Sequence, residues 1–566
     1  MFLPTTPQEL VERGWDQLDV ILVTGDAYID SPFIGVSVIG HVLADVGYRV
    51  GVIAQPDIYS PDDIIRLGEP SLFWGVSGGS IDSMVANYTA LKKPRRSDDY
   101  TPGGRNNRRP NRAAIVYTNL IKRYFKGTGS SPPAPIVLGG VEPSLRRVAH
   151  YDAWDDVVRR SVLLDAKADY LLYGMAEKSV VAFADALRFG DNPRRLKGLC
   201  YVDDAPQKGY LELPSYEQVA EDKHAFVEMF HTFYENSDPH SARGLTQQYA
   251  NRHLVHNPPP PYLTQDELDD IYALDFERDA HPYYAKQGAI KALETIRFAV
   301  STHRGCYGEC NFCAIGVHEG STVRWRSRES IVDETRRLTT RPDFQGIIQD
   351  VSAPTVNMYG FECPKKLRKG ICRDRRCLHP DICPTLPVDH GRHLELLRRI
   401  RSVPRVKKVF VSSGLRHDLV LADETCGDEY IQEIVEHHVS GQIKVAPEHS
   451  ETNVLEAMGK PGPDAFLAFR DLFLEATQKA GLPQFLTYYF IAAHPGCRAS
   501  DMRRLREFAV SELELLPEQV QIFTPTPSTY ASLMYYTETD PFTGEPIFVE
   551  KSFRGKRRQK RILTSP

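Results

Sequence analysis

The sequence predicts an α/β protein that combines an amino-terminal Rossmann-like domain, built on a parallel sheet, with a partial (β/α)6 barrel of the TIM type. Two observations predict this fold class. Short apolar runs alternate with helical patterns along both parts of the chain, as strand–helix units do. The runs are almost continuously apolar, which is typical of parallel strands buried on both faces. We therefore expect at least two domains in the 566 residues.

The amino-terminal domain is predicted to span residues 1–290. Its predicted strands and helices alternate, with strands at 20–25, 49–55, 71–79, 135–140 and 169–175 and helices at 36–46, 81–91 and 179–187. Residues 190–290 lack this regularity, and the run Pro258 to Pro261 indicates a rigid connector. The polar stretch Lys92 to Arg112 predicts a long loop that is solvated or closes over a substrate.

The carboxyl-terminal barrel is predicted to span residues 291–550. The predicted strands are 296–303, 344–350, 407–413, 442–447, 485–493 and 519–525, with helices at 329–338, 392–400, 429–437, 464–480 and 501–515 between them. Six strands are too few for an eight-stranded barrel and suit a six-stranded partial one. A cysteine-rich insertion is predicted at 357–390, and the basic tail 551–566 is expected to fray.

Composition excludes several classes of protein. The net charge is −5, so the whole chain has no basic excess of the nucleic-acid-binding kind. Seven of the ten cysteines fall in two local groups, which indicates metal ligation in a reducing compartment rather than a disulfide scaffold. The first residues lack the charge and apolar run of a signal peptide, and no apolar stretch is long enough to cross a membrane. We expect a cytoplasmic protein with no membrane partner.

The most informative motif is Cys306, Cys310 and Cys313, spaced C-x3-C-x2-C. A four-iron, four-sulfur (4Fe–4S) cluster takes four thiolates, so a local set of three leaves one iron open to a ligand. The motif begins three residues after the first predicted barrel strand, at the end of the strand where barrel enzymes place their active sites. The alternatives are a zinc site completed by His303 or His318, or three unrelated thiols.

This spacing resembles the signature of radical S-adenosylmethionine (SAM) enzymes. The resemblance implies that the open iron chelates SAM and that an electron splits SAM into methionine and a 5′-deoxyadenosyl radical. It also implies an electron donor of the flavodoxin or ferredoxin type. Among candidate SAM-binding residues, Phe312 follows the second cysteine closely, and Asp350, Ser352 and Glu448 stand at later strand ends. Phe312 could equally be a core residue, and Glu448 an ordinary carboxylate at the start of a helix.

Two further strand-end residues have competing interpretations. His449, next to Glu448, could move protons or lie on the surface. Cys497 could face the barrel interior as a hydrogen-atom donor, whereas a buried, inert thiol is the usual case.

A second cysteine group comprises Cys363, Cys372, Cys377 and Cys383. The segment shows little apolar periodicity, so it needs a staple other than a core, and four thiolates holding zinc or an auxiliary iron–sulfur cluster would provide one. His379 and His390 are additional potential ligands. The alternative is a reduced, solvated insertion.

Further motifs give a closer resemblance, because they are similar to those of the YgiQ-like family of radical SAM proteins over residues 15–550. They are the segments 138–147, 150–152, 173–177, 357–359, 445–449, 458–461, 523–527, 534–536 and 540–541. The reaction of this family is largely unassigned. Its amino-terminal domain resembles the cobalamin-binding domains of some radical SAM enzymes, which often carry D-x-H-x-x-G. That motif is absent here, and Asp26 is the nearest strand-end acid, so cobalamin is expected to be an unlikely cofactor.

Three functions follow. The first is a radical SAM enzyme of unknown substrate. The second is an RNA-binding or RNA-modifying protein, indicated by the basic tail and by the arginines of the 92–112 loop, which are Arg95, Arg96, Arg105, Arg108, Arg109 and Arg112. The third is a non-enzymatic iron–sulfur electron carrier or a metal sensor that uses the two cysteine groups.

Overall fold

The structure, a computed structural model, describes residues 1–125, 133–517 and 520–565. The chain forms two compact units. Unit 1 comprises Met1–Tyr262 and Asp270–Arg297, and unit 2 comprises Leu263–Asp269 and Phe298–Pro566. Residue 519 of the last predicted strand and the final residue of the tail lie outside the described residues.

Unit 1 is built on a nine-stranded sheet. In chain order its strands are β1 (Val20–Thr24), β2 (Val50–Ala54), β3 (Phe73–Ser77), β4 (Ile136–Leu138), β5 (Tyr170–Leu172), β6 (Leu199–Asp203), β7 (Leu211–Leu213), β8 (Leu245–Tyr249) and β9 (Arg252–His256). Their spatial order is β7-β8-β9-β6-β5-β4-β3-β1-β2. The run β2-β1-β3-β4-β5 is parallel, which is the doubly wound order that the alternating pattern predicted.

The helices of unit 1 lie between these strands and around them. They span Pro7–Glu12, Gly35–Asp45, Asp62–Ile65, Ser83–Asn87, Ala113–Tyr124, Val141–Leu145, Val162–Ala166, Glu177–Phe189, Tyr216–Glu221, Lys223–Glu235, Pro282–Ala285 and Leu293–Ile296, and helix Gln265–Ala273 runs from unit 2 into unit 1. Every residue of β1 and β2 is buried, which explains their continuous apolar runs. Short paired strands, Ile29–Asp30 with Asp279–Ala280 and His150–Asp152 with Val157–Arg159, complete the unit.

The prediction of an irregular connector over 190–290 is wrong. This stretch contributes β6 to β9 and extends the sheet, with β6 antiparallel to β5 and β9 antiparallel to β6. Strands of three to five residues with mixed polarity leave a weak periodic signal.

Unit 2 contains six barrel strands in sequential order. They are β10 (Ala299–Ser301), β11 (Ile347–Ile348 and Asp350–Ser352), β12 (Lys408–Val409), β13 (Gln442–Glu448), β14 (Phe485–Ala492) and β15 (Val520–Ile522). Parallel pairing joins β10 to β11, β11 to β12, β13 to β14 and β14 to β15, and a parallel bridge at Leu415 and Val445 lies between β12 and β13. These positions agree with the six predicted strands.

The helices of unit 2 follow the strands as a barrel requires. They span Ile315–His318, Arg328–Thr339, Pro364–Lys369, Gly391–Arg401, His417–Leu421, Gly427–Glu433 with a π-helical continuation Ile434–His438, Thr452–Met458, Pro463–Ala480, Ala499–Ser511, Tyr530–Thr537 and Phe553–Thr564. In Pro463–Ala480 the buried Phe466, Phe469 and Phe473 form one apolar stripe, and Gly481 ends the helix at a φ of 64°.

The expectation that the basic tail frays is also wrong. Residues Phe553–Thr564 form a helix whose Leu563 is fully buried in the barrel core. Lys556 donates to the hydroxyl of Tyr535 at 2.9 Å. Gln559 accepts from the Ala493 amide and donates to the Cys497 carbonyl, both at 2.9 Å, so the helix is fastened to the end of β14.

Across 1–125, 133–517 and 520–565, no helix has the length and apolar character that a membrane crossing needs.

Candidate active site

The three cysteines lie on a loop that leaves the carboxyl end of β10. Residues His303–Arg304 pair antiparallel with Arg324–Trp325, so the chain between them closes as a loop at the barrel rim. Gly305 has a φ of 78°, and a Cβ there would stand 2.4 Å from the Thr322 carbonyl oxygen. Only glycine therefore fits where this loop begins.

Two of the thiols and one guanidinium surround Gly308. A Cβ at this residue would lie 3.2 Å from Cys306 Sγ, 3.6 Å from Cys310 Sγ and 3.4 Å from Arg416 Nη1. The Gly308 amide donates to Cys306 Sγ at 3.3 Å. Because glycine has no side chain, space is left beside the two sulfur atoms, and we call this space at Gly308 the cradle. A backbone amide that donates to a cysteine sulfur is the type of contact that shifts the reduction potential of iron–sulfur sites.

Cys313 belongs to the same group. Burial raises the pKa of Cys306 and of Cys313, and in both cases the neighbouring Cys310 thiol raises it further. A site that ionises these thiols must therefore supply positive charge, which metal ions do when they bind thiolates.

In the described part of the chain, no three His, Cys, Asp or Glu side chains converge on a point that would hold a single metal ion. His303, a potential zinc ligand in the sequence, is buried and bonds through Nδ1 to the Thr302 hydroxyl at 2.9 Å. A cubane binds each thiolate through a different iron, so its ligands surround a cluster rather than one ion. The grouped thiols and the cradle at Gly308 fit a cluster better than mononuclear zinc.

Arg416 is a site residue that sequence reasoning missed. Its Nη1 lies 3.8 Å from Cys310 Sγ, while Nε and Nη2 donate to the Asp418 carboxylate at 2.7 and 2.5 Å. Asn357 fixes its backbone, because the Asn357 side chain accepts from the Arg416 amide and donates to its carbonyl, both at 2.9 Å. The sequence offered no signal, since Arg416 lies more than 100 positions from the motif.

Asn311, within the motif, is a second missed residue. Its amide donates to the Met458 carbonyl and its side chain to the Ala457 carbonyl, both at 2.9 Å. Its carbonyl accepts from the Ala531 amide at 2.8 Å. The cysteine loop is therefore pinned to the end of helix Thr452–Met458 and to the start of helix Tyr530–Thr537.

The loop after β11 contacts the first cysteine directly. Thr355 Oγ1 lies 3.3 Å from Cys306 Sγ, and Met358 Sδ lies 3.9 Å from the same sulfur. Sequence reasoning singled out neither residue for this role. A hydroxyl beside a thiolate can stabilise its charge by hydrogen bonding.

Asp350, predicted to bind SAM, is engaged with the next strand end. Its carboxylate accepts from the Ser412 and Ser413 amides at 2.7 and 3.1 Å and from the Ser413 hydroxyl at 2.5 Å. The Ser352 hydroxyl, also predicted, lies 3.0 Å from that of Ser413. Burial raises the pKa of Asp350, although these donors lower it in part. Asp350 and Ser352 thus join two strand ends and position the Ser413 hydroxyl.

Glu448 stands at the carboxyl end of β13 with strained backbone. Its φ is 69°, a left-handed value that is rare for glutamate, and the register of β13 against β14 shifts next to it. The side chain is buried, and burial raises its pKa to about 7 against the opposing attraction of Lys460 and Arg416. A buried carboxyl that changes charge near neutral pH is suited to binding a cation or to moving a proton.

The remaining strand-end candidates pack together at β13 and β14. Burial lowers the pKa of His449 to about 3, and His449 Nε2 lies 3.6 Å from the buried Cys497 Sγ. Burial raises the pKa of Cys497 to about 12. Phe312 packs edge-on against His494 with ring centroids 6.2 Å apart. His449 is thus buried rather than on the surface. Cys497 is buried with a raised pKa, as is typical of an unreactive thiol.

The second cysteine group lies in a segment that has an apolar core after all. Cys363 and Cys383 are buried in a cluster with Tyr307, Met358 and Phe361. The premise that this segment needs a metal because it lacks a core is therefore wrong. Burial and the nearby Cys363 and Cys383 thiols contribute to raising the pKa of Cys377 to about 11, although Lys366 opposes this.

The other potential ligands of this group differ in availability. The Lys365 ammonium lies close to the Cys372 thiol, which raises the pKa of Lys365. His390 is committed elsewhere, since Nδ1 bonds to Asp423 at 2.7 Å and Nε2 lies 3.1 Å from the Asn357 amide nitrogen. His379 is half-buried, and burial lowers its pKa.

The arginine-rich loop 92–112 of unit 1 is partly internal. Arg109 is fully buried and pairs with Asp26 at 2.7 Å and with Asp98 at 3.2 Å. Arg112 pairs with Asp152 and Asp155. These two arginines stabilise the fold, which removes part of the basis for RNA binding by the loop.

Comparison with known proteins identifies relatives along the whole chain. A family model described as Radical SAM N-terminal matches residues 2–299. A UPF0313 protein of Fusobacterium nucleatum is 52% identical over 563 residues, which is 100% of this chain and 98% of the relative. A UPF0313 protein of Thermotoga maritima is 48% identical over 566 residues, covering 99% of this chain and 98% of the relative.

Two solved enzymes share the fold at low sequence identity. TsrM from Kitasatospora setae, a radical SAM methyltransferase solved with cobalamin and a [4Fe-4S] cluster bound, aligns with a TM-score of 0.52 and 14% identity over 91% of this chain and 77% of TsrM. OxsB, a cobalamin-dependent SAM radical enzyme solved with aqua-cobalamin bound, aligns with a TM-score of 0.51 and 13% identity over 95% of this chain and 58% of OxsB.

These likenesses correct one sequence prediction. The expectation that cobalamin is unlikely rested on the missing D-x-H-x-x-G motif. It is wrong, because the chain has the fold of two enzymes that were solved with cobalamin bound. A short ligand motif can be lost while the domain that accommodates a cofactor keeps its fold.

Proposed function

Since this chain belongs to the UPF0313 family and carries the Radical SAM N-terminal region, we propose that it is a radical SAM enzyme that cleaves SAM reductively. Within the superfamily we place it in the YgiQ-like group on its linked motifs. The observation that carries the proposal is the grouping of Cys306 and Cys310 beside the cradle at Gly308, with Cys313 near both, on a loop at the carboxyl end of a barrel strand.

In this proposal the thiolates of Cys306, Cys310 and Cys313 are the three protein ligands of the 4Fe–4S cluster. Such a cluster, when bound, provides an open iron for SAM and the electron that yields a 5′-deoxyadenosyl radical. Arg416 places a positive charge beside Cys310, and the Gly308 amide and the Thr355 hydroxyl stand at Cys306. These groups favour the ionised thiols despite burial.

The residues assigned to SAM line the same strand ends. Glu448 supplies a buried carboxyl, and when it is ionised its negative charge can pair with a positively charged sulfonium or ammonium group. The Asp350 carboxylate accepts a hydrogen bond from the Ser413 hydroxyl, which lies 3.0 Å from the Ser352 hydroxyl. Phe312 presents an aromatic ring near His494. We propose that these residues contact SAM, with Asp350 acting mainly through Ser413.

The test is SAM cleavage by the full chain. We expect anaerobically reconstituted protein, reduced and given SAM, to form 5′-deoxyadenosine. Cys306→Ala should abolish the product, whereas Cys426→Ala should not, because Cys426 lies outside both cysteine groups. Absence of 5′-deoxyadenosine above the Cys306→Ala background would refute the proposal.

Cobalamin enters as a candidate second cofactor of unit 1, through the likeness to TsrM and OxsB. In the order β2-β1-β3 the topological switch point lies between β1 and β3, where such sheets bind ligands. The strand-end acid there, Asp26, is paired with Arg109, so the chain would hold a corrinoid without an imidazole from this strand end. Retention of hydroxocobalamin after gel filtration, read from its visible absorption, tests this assignment.

We also propose that Cys363, Cys372, Cys377 and Cys383 bind an auxiliary iron–sulfur cluster, which suits them better than a zinc ion because no three such side chains in the described residues converge on one point. Support comes from geometry, because Cys363, Cys377 and Cys383 pack in one cluster and the Cys383 amide donates to the Cys377 carbonyl at 2.8 Å. Iron and zinc counts of wild type beside the quadruple alanine variant test it, and identical counts would refute it. All ten cysteines are unbridged, which supports our placing the protein in the reducing cytoplasm.

A further inference from the structure

The insertion of unit 2 carries a concentrated positive charge. Residues 364–377 contain seven lysines and arginines and a single aspartate, in a chain whose net charge is −5. Five of these cations are exposed and define what we call the cationic patch, namely Lys365, Arg368, Lys369, Arg373 and Arg375. The patch reverses the sign of the protein's overall charge on a small surface.

The patch cations are not consumed by the fold. Within the described residues, none of the five forms a salt bridge with a carboxylate, in contrast to Arg109 and Arg112 of the 92–112 loop. Exposed cations without carboxylate partners complement an acidic surface, and such complementarity steers association.

Two other basic residues of the same stretch anchor it to the cysteine loop. Lys366 is buried, donates to the Ser321 carbonyl at 2.5 Å and lies 3.9 Å from the Glu309 carboxylate. Arg376 donates to the Asn311 side chain at 2.7 Å and to the Glu309 carbonyl at 3.3 Å. Glu309 and Asn311 flank Cys310 in the sequence, so the patch is tied to both neighbours of a proposed cluster ligand.

Buried apolar side chains also join the insertion to the cysteine loop. Tyr307, from the cysteine loop, is buried in one cluster with Phe361, Cys363 and Leu378 of the insertion. The Lys366 ammonium lies 5.3 Å from the centre of the Tyr307 ring. The insertion that carries the exposed cations is therefore anchored to the Cys306–Cys313 loop.

From this juxtaposition we propose that the cationic patch docks an acidic one-electron carrier protein and brings its redox centre to the Cys306–Cys313 loop. The inference deepens the proposed function, on which it rests, because it names the surface through which the cluster is reduced. In the docked complex one electron leaves a flavin hydroquinone, which becomes the semiquinone, and the cluster gains that electron. A reduced iron–sulfur carrier would deliver one electron likewise.

The observations favour a carrier protein over RNA. Redox complexes are small, transient and steered by charge, and a compact set of exposed cations suffices for them. Single-stranded RNA is bound by basic grooves with aromatic side chains on which bases stack. The insertion 357–390 has two aromatic residues, Tyr359 and Phe361, and both are buried.

The test compares two charge reversals of equal size in the full-length reconstituted protein. The patch variant carries Arg368→Glu, Lys369→Glu and Arg375→Glu. The control carries Arg554→Glu, Arg557→Glu and Arg558→Glu, which lie exposed on the C-terminal helix. Lys365 is left intact because it lies close to Cys372. The probe is flavodoxin hydroquinone, and the readout is the second-order rate of cluster reduction followed by stopped-flow absorbance.

At low salt we expect the patch variant to be reduced about tenfold or more slowly than wild type, and the control within about twofold of it. The difference should shrink as salt is raised. Photoreduced deazaflavin, a neutral small reductant, should reduce all three proteins at one rate. Equal flavodoxin rates for patch and control variants would overturn the proposal.

A binding measurement separates this proposal from the proposed function. Apoflavodoxin is titrated against each full-length protein by interferometry at low and high salt, which requires no cluster. Loss of binding in the patch variant alone supports docking even if no SAM is cleaved. Unchanged flavodoxin binding together with loss of total-RNA binding in the patch variant would overturn docking in favour of RNA.

Discussion

Arg416 holds a buried positive charge between a carboxylate and a thiol. Its guanidinium spans Asp418 and Cys310 Sγ, which lies 3.8 Å from Nη1. Asp418 keeps the guanidinium in place, and the pKa of Arg416 is raised because the attraction of Asp418 and of the nearby thiols exceeds the cost of burial. A fixed cation at this position favours an added electron on a cluster held by Cys310.

Removing this charge should make the cluster harder to reduce. Arg416→Gln is combined with Asp418→Asn, so that no buried carboxylate is left unpaired, and compared with Asp418→Asn alone. We expect the double variant to have a midpoint potential about 59 mV or more below that of the single variant, a tenfold change in the one-electron equilibrium. A redox titration followed by electron paramagnetic resonance measures it, and equal potentials would count against the role of Arg416.

Gly308 offers a steric test of the cradle. Gly308→Ala would place a methyl group 3.2 Å from Cys306 Sγ and 3.4 Å from Arg416 Nη1, in the space assigned to the cluster. We expect reconstituted Gly308→Ala to retain less than about half of the wild-type iron. Gly316→Ala is the matched control, because a Cβ there has nothing within 4 Å. Equal iron contents in the two variants would contradict the placement of the cluster.

Glu448 should make stability depend on pH. Its folded pKa is raised from 4.5 to about 7, so the folded protein binds a proton that the unfolded chain releases. The free energy of unfolding therefore falls as pH rises from the unfolded to the folded pKa, by up to about 3 kcal/mol from this group. Glu448→Gln removes this loss.

We expect the stability of Glu448→Gln relative to wild type to increase between pH 5 and pH 8 when SAM is absent, as measured by urea unfolding. Glu507→Gln, on an exposed helix face, should show no such trend. A relative stability of Glu448→Gln that is flat with pH would show that the carboxyl titrates normally.

At the scale of elements, the C-terminal helix Phe553–Thr564 packs against β14 and β15. Leu563 is fully buried against the barrel core, whereas Arg558 is exposed. We expect Leu563→Ala to lower the free energy of unfolding of unit 2 by about 2–5 kcal/mol. Arg558→Ala should change it by no more than about 0.5 kcal/mol. Chemical denaturation distinguishes the two, and similar values would mean that the helix is not packed in solution.

The same helix illustrates what sequence patterns reveal about an element. Its basic residues suggested a solvated tail, and its few inward residues, Lys556, Gln559 and Leu563, carry the packing. Two of these three are polar, so an apolar stripe was not visible. Strands such as β1 and β14 were predictable because their runs are continuously apolar or alternate, whereas β7, with three residues of mixed polarity, was not.

Contacts made by the insertion 357–390 are the part of the site that the sequence did not predict. The sequence located all the cysteines, because spacing is a local property. It did not show that Tyr307 and Cys363 share an apolar cluster, or that Arg376 reaches Asn311, because these contacts join residues more than 50 positions apart. Arg416 and Thr355 escaped notice for the same reason.

At the scale of the whole molecule, the chain folds as two compact units. The α/β architecture of both followed from the alternation of strands and helices. The expectation that cobalamin is unlikely was wrong, since it rested on a missing histidine motif, whereas the chain has the fold of two enzymes solved with cobalamin bound. The fold is encoded by a pattern along the whole domain, whereas a ligand motif occupies a few residues. The absence of the short motif was therefore a poor basis for the prediction about cobalamin.

In the proposed function, one iron atom of the cluster has no protein ligand and is free to bind SAM. The full-length protein is reconstituted anaerobically and reduced, and its electron paramagnetic resonance spectrum is recorded before and after SAM is added. A cluster held by Cys306, Cys310 and Cys313 alone should give a spectrum that changes with SAM, and Cys306→Ala should lose that response. A fully loaded cluster whose spectrum is the same with and without SAM would mean that the protein itself ligates the fourth iron, which contradicts the account.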